Sequence, residues 1–170
     1  TTGVLTNDKA LENVKIGIDF EGKNIFQDSS LTGVSVSGVF GDLDLSKVNS
    51  DYLNDQRDTG PKTHGDFNKV VLDFYHIHKF TDKINFKYYG SLQHASKNLD
   101  SSEKFSLGGV SGIRAYPSGE ASGDEGHKLS FEIQYDLSKP DADFDLIGTL
   151  FYDYGKIRQY KDSSNISLTT

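Results

Sequence analysis

From Lys128 to Leu137 the chain alternates without a slip. Leu129, Phe131, Ile133, Tyr135 and Leu137 fall on one side, and Lys128, Ser130, Glu132, Gln134 and Asp136 on the other. Period two puts successive side chains on opposite faces of a strand, whereas a helix would scatter them round its axis. The stretch just before it, from Phe105 to Gly126, is aperiodic and dense in glycine. It carries a single arginine, Arg114, among small residues, followed by Tyr116 and Pro117. A long glycine loop therefore delivers one cation to a strand with an apolar and a wet face.

The same alternation recurs along the chain. Val14, Ile16, Ile18 and Phe20 alternate with Lys15, Gly17, Asp19 and Glu21. Val34, Val36 and Phe40 alternate with serines, and at Gly41 the apolar set changes parity to Leu43 and Leu45, which predicts a bulge. Further strands are predicted over 67–80, 84–93 and 145–154, with a partial one over 164–170. No segment shows a convincing helical period, so the fold class is all-β, an antiparallel meander.

The connections separate two kinds of meander. Those at 81–82 and 138–143 are short, those at 46–66 and 97–125 are long, and long and short broadly alternate. An outer-membrane barrel has short periplasmic turns and long external loops, on strands of about 9–11 residues. A soluble sandwich or barrel with one wet face would also alternate. Two features favour the membrane. The polar face carries Lys, Glu, Asp or Gln in almost every strand, as a water-filled lumen would. The apolar face is aromatic, drawing on nine Tyr and eleven Phe, with Tyr135, Tyr152 and Tyr154 placed as an interfacial girdle requires. The chain has no cysteine, which excludes disulfides and thiolate zinc sites. Its net charge of −7 argues against nucleic acid as partner. The lack of methionine points to a processed product or a fragment.

Two motifs carry a family resemblance. Ile113, Arg114, Ala115, Tyr116 and Pro117 follow Gly112, and are followed by Gly119, Glu120, Gly123, Asp124 and Gly126. Gly148, Phe151, Asp153 and Gly155 then form Gly-x-x-Phe-x-Asp-x-Gly on a later strand. This pair of motifs resembles the sixth external loop and a following strand of the two-partner-secretion (TpsB) transporters, haemolysin-activator type, in the BamA-type outer-membrane superfamily. Ile113 replaces the family's commoner valine.

The resemblance implies a bacterial outer-membrane protein of which this chain supplies about seven of sixteen strands. It implies translocation of a large secreted exoprotein, an adhesin or haemolysin, without nucleotide hydrolysis, enzymatic activity, cofactor or metal. The partners it implies are that exoprotein and outer-membrane lipid. Residues 1–170 are read as barrel, with the motif loop at about 97–125 and no POTRA module. The rival readings are an assembly factor of the same superfamily, a passive porin, and a soluble β adhesin or enzyme.

Chemistry supports a role for the motif residues. With Tyr152 and Tyr154 on the lipid side, Phe151 and Asp153 face the lumen, where a returning loop would bring Arg114 to Asp153 for a charge-assisted pair. Without that return Arg114 is a solvated loop arginine. Asp141, Asp143 and Asp145 imitate the start of a calcium loop, but Leu146 and Tyr152 stand where the Gly and Glu belong. His76 and His78 share a strand face and lack a third ligand, so they read as surface or lumen residues.

Overall fold

The computed structural model describes residues 8–109, 112–117, 121–139 and 143–162. Strands β1 (Ala10–Lys23), β2 (Ser30–Asp44), β3 (Gly65–Lys79) and β4 (Ile84–Ala95) are followed by a two-residue pair, β5 (Phe105–Ser106) and β6 (Ser122–Gly123). Strands β7 (Glu125–Asp136) and β8 (Ile147–Arg158) complete the set. The six long strands form one antiparallel sheet in the order β1-β2-β3-β4-β7-β8, so sequence neighbours are sheet neighbours throughout. The sheet is open, a segment of a barrel wall: among the described residues β1 and β8 each pair on one side only. The predicted partial strand at 164–170 lies outside the described residues.

Burial is inverted relative to a water-soluble protein. Ile18 is 77% exposed and Leu150 71%, while the inward-facing Ser37 and Gln93 are buried. The register makes the exposed residues one continuous face. Phe20, Val34, Phe74, Gly90, Leu129 and Tyr154 lie in one cross-strand row, and Ile18, Val36, Leu72 and Leu92 in the next. An apolar surface of this extent has no stable place in water. Toward the short-turn end it becomes aromatic, with Phe80 packed edge-on to Phe86 at 5.6 Å and Tyr88 to Phe131 at 5.4 Å, the layout of an interfacial girdle.

Two expectations need correction, and a third resolves to one of its two alternatives. The parity change at Gly41 is not a bulge, because β2 pairs residue for residue with both neighbours past that point. Instead the apolar residues move to the inner face where the strands leave the lipid band. There Val39, Phe67, Ala95 and Leu99 form a small core with Leu11. A helix, α1 (Asn49–Gln56), is present in the long β2–β3 connection. It carries no apolar stripe, since Leu53 is exposed and the buried residue on it is Asp55. The helix is instead held by its end. The Asp55 carboxylate accepts from the Thr63 hydroxyl at 2.6 Å and from the amides of Thr63 and His64, each at 2.9 Å. His76 and His78 sit on the outward face among aromatics, not in the lumen, and His76 Nδ1 lies 2.8 Å from Thr32 Oγ1. Among the described residues no cluster could hold a metal ion.

Candidate functional site: a loop latched to the inner wall

The connection from β4 to β7 turns back over the inner face of the sheet. Its first half reaches the start of β1, where Lys9, just ahead of the strand, pairs through Nζ with Asp100 at 2.8 Å and Asn13 Nδ2 donates to Glu103 at 3.1 Å. Lys69 on the inner face of β3 pairs with Glu103 at 2.9 Å. Burial raises the Asp100 carboxyl, but Lys9 and the amide and hydroxyl of Ser102 outweigh it and hold the group below the usual carboxylate range. The second half reaches β8, so the loop spans the trough between the two edges of the sheet.

The loop brings its own core. Phe105, Leu107 and Ile113 are buried together, with Ala121 and Ile157 packed against them. Hydrogen bonds from Ile113 N to Leu107 O at 2.7 Å and from Leu107 N to Ala121 O at 2.9 Å fold it tightly. Two glycines let the loop pack this closely, Gly112 against backbone and Gly155 against side-chain tips. A Cβ on Gly112 would lie 2.3 Å from the Leu107 carbonyl oxygen. A Cβ on Gly155, inward on β8, would lie 2.2 Å from Ile113 Cδ1 and 2.7 Å from Leu107 Cδ2. The loop's apolar knob therefore rests on the bare backbone of the second motif.

That seating puts Arg114 beside the wall. Its amide donates to Asp153 Oδ2 at 3.1 Å and its guanidinium to Asp153 Oδ1 at 3.0 Å. A second guanidinium nitrogen pairs with Glu132, and the guanidinium carbon lies 4.0 Å from the Phe151 ring centre. Ser130 donates to Asp153 Oδ1 at 2.6 Å. The β7–β8 register explains the grouping: Glu132 faces Phe151 and Ser130 faces Asp153 across one pair of strands. Glu132 and Asp153 are thus diagonal neighbours, and one planar five-donor cation answers both while stacking on Phe151.

The base of the loop is tied separately by Asp124, whose side chain is fully buried. It accepts from Leu99 N at 3.1 Å, Lys161 N at 2.8 Å and Lys104 Nζ at 2.7 Å. Gly123 pairs with Phe105 in the β5–β6 ladder. Tyr116 is half-exposed and closes a turn through its amide to Ile113 O. Gly148 has the outward parity of Leu150 and Tyr152, away from the loop. Gly119 and Glu120 lie outside the described residues. Sequence reasoning missed Glu132 and Ser130 as partners. The signal was there: both lie on the polar face of the strictly alternating strand, one pleat apart.

A family model for the haemolysin secretion/activation proteins ShlB/FhaC/HecB matches residues 33–169. The chain belongs to that family. The ShlB/FhaC/HecB proteins are outer-membrane transporters of Gram-negative bacteria, which accounts for the outward apolar face and the polar trough. Relatives include the heme/hemopexin transporter protein HuxB of Haemophilus influenzae strain 86-028NP, 33% identical over 159 residues. That match covers 94% of this chain and 27% of HuxB. The HuxB of a second H. influenzae source is 33% identical over 155 residues, covering 91% of the chain and 26% of the relative. The chain thus spans about a quarter of the length of the curated relatives it matches. No solved structure matches it. In this chain the family's arginine loop lies against the inner face of β7 and β8, joined to Asp153 and Glu132 through Arg114.

Proposed function

We propose that this chain is one wall, with its latched loop, of an outer-membrane pore that exports a large partner exoprotein of the adhesin or haemolysin kind. The observation that carries the reading is the Arg114 latch to Asp153 and Glu132 on the lumen face. A chain threading the pore shares the lumen with this loop, so the loop's position sets how much of the lumen is open. Threading of an unfolded client needs no nucleotide site and no catalytic group in this wall. The names of the relatives make a heme/hemopexin-related exoprotein the first client to test. The lipid face fits insertion in the outer membrane, and the acidic net charge disfavours nucleic acid as cargo.

The test is Arg114→Ala in the complete protein, read by exoprotein in the culture medium and by single-channel conductance. Export should fall sharply while outer-membrane insertion stays near normal, and conductance should change. Undiminished export would sink the latch reading. Conductance of small solutes with no dependence of any exoprotein on the protein would favour a passive porin. Loss of other barrels from the membrane would favour an assembly factor.

A further inference from the structure

The outward face does not end in apolar residues at the long-loop rim. Immediately beyond Leu92, Leu129 and Tyr154, strands β4, β7 and β8 turn basic. His94 follows Leu92, His127 precedes Leu129, and Lys156 and Arg158 follow Tyr154, all with outward parity. His127 faces Lys156 in register and its ring lies 5.8 Å from that of Tyr154. Glu125 stands among these groups and is shared. His94 Nδ1 lies 2.6 Å from it, Lys161 Nζ 2.5 Å and Arg158 3.1 Å. One carboxylate thus gathers three basic side chains, while Lys156 has no carboxylate partner among the described residues. Lys156, Arg158 and Lys161 against Glu125 leave a formal excess of two positive charges, on a chain whose net charge is −7. The His94 and Arg158 side chains are 66% and 62% exposed. Opposite charge sits elsewhere on the rim: Glu12, Asp42 and Asp66 form a cross-strand row at the ends of β1, β2 and β3.

We propose that this basic rim is a binding site for the phosphate groups of the phosphorylated glycolipid that makes up the outer leaflet. The position selects the ligand. The site begins one pleat beyond the apolar band on the lipid face, at the long-loop end, which is the external one. That is the depth at which a lipid's acyl chains give way to its headgroup. Basic clusters at this depth bind anionic headgroups. Guanidinium and ammonium groups there can each meet a phosphate oxygen through a charge-assisted hydrogen bond, while the acyl chains lie on Leu92, Leu129 and Tyr154. The contact would fasten the β7–β8 wall, whose other face carries the latch, to the surrounding leaflet. The proposal rests on the outer-membrane orientation described above.

The complete protein in detergent micelles is titrated with diphosphorylated lipid A and, separately, with the same lipid after phosphatase treatment, and bound lipid is counted by native mass spectrometry. The phosphorylated lipid should remain bound and the dephosphorylated one should not. Millimolar inorganic phosphate should fail to displace it, since the acyl contacts are part of the site. Lys156→Gln combined with Arg158→Gln should weaken retention by about tenfold, and Lys156→Arg with Arg158→Lys should restore it. Equal retention of both lipids, or no change in the glutamine pair, overturns the proposal. If the glutamine pair fails to insert, the comparison of the two lipids on the unsubstituted protein decides. A protein recovered outside the outer-membrane fraction would count against the orientation itself, whereas an outer-membrane protein indifferent to lipid phosphate counts against this site alone.

Discussion

Arg114 is joined to Asp153 twice, through its backbone amide at 3.1 Å and its guanidinium at 3.0 Å. The two bonds use different oxygens of one carboxylate, so the wall grips the loop's main chain and not only a flexible side chain. Removing each partner therefore has different consequences. Arg114→Ala keeps the amide bond but leaves Glu132 and Asp153 without their shared cation. Asp153→Ala loses both bonds. In the complete protein Asp153→Ala should impair export at least as much as Arg114→Ala, and the double mutant should be no worse than Asp153→Ala. A cycle on thermal stability in detergent should give a coupling of about 1–2 kcal/mol, in the range for residues sharing a network. Strictly additive losses would mean that the loop is anchored elsewhere.

The two motif glycines of β8 should behave differently. Gly155 faces inward under Ile113 and Leu107, and a new Cβ would meet the yielding tips of those two side chains, with the His127 carbonyl oxygen further off at 3.3 Å. Gly155→Ala should be mild, whereas Gly155→Val should displace the knob, at a cost of about 1–3 kcal/mol for overpacking. Gly148 faces outward, where an added Cβ would meet Leu137 Cδ1 at an ordinary 3.5 Å. Gly148→Ala should be neutral. Protease digestion of intact cells checks the pair: the 96–124 loop should be cut faster in Gly155→Val and at the wild-type rate in Gly148→Ala.

What could be read from the sequence, and what could not, divides along physical lines. The wall was legible because lipid on one face and water on the other force a period of two, as in Leu129 to Leu137. The meeting of Arg114 with Asp153 was legible through the two motifs, which stand 39 residues apart. Glu132 was not, because many polar residues line the inner face and only the register opposite Phe151 singles it out. The bulge predicted at Gly41 failed because a change of apolar parity has two causes, an extra residue or a change in which face is wet, and here the second applies. Helix α1 was invisible because its anchor is Asp55 and not an apolar stripe.

The base of the loop should depend on Asp124 more than on its cation. The carboxylate is buried and holds two backbone amides besides Lys104, so Asp124→Ala strands three donors at once. Removing one member of a buried, hydrogen-bonded pair costs about 3–5 kcal/mol. Lys104→Met should cost less, because the carboxylate keeps the amides of Leu99 and Lys161. Hydrogen exchange on the complete protein reads this directly: the Leu99 and Lys161 amides should lose protection in Asp124→Ala and largely keep it in Lys104→Met. Equal loss in both would show that the ion pair, and not the amide bonds, holds the base.

Asp55 gives the long β2–β3 connection a pH dependence of known sign. Burial pushes its carboxyl up, but the Thr63 hydroxyl, the amides of His64 and Thr63 and the Gln56 side chain together bring it below the usual value. A carboxyl lowered in the folded state binds fewer protons there than in the unlatched state. It therefore adds stability above the unlatched value of about 3.9, and loses it as pH falls through the lower folded value. The helix and the strand start at Gly65 should stay joined at neutral pH and come apart only in acid below about pH 4. Protection of the Thr63 and His64 amides should follow that course. Asp55→Asn should lower protection at neutral pH and flatten its acid dependence, since only one of its two side-chain atoms still accepts hydrogen bonds and it carries no charge to titrate. Unchanged acid dependence in Asp55→Asn would assign the effect to another carboxylate, and Asp44, at the end of β2, would be the next to substitute.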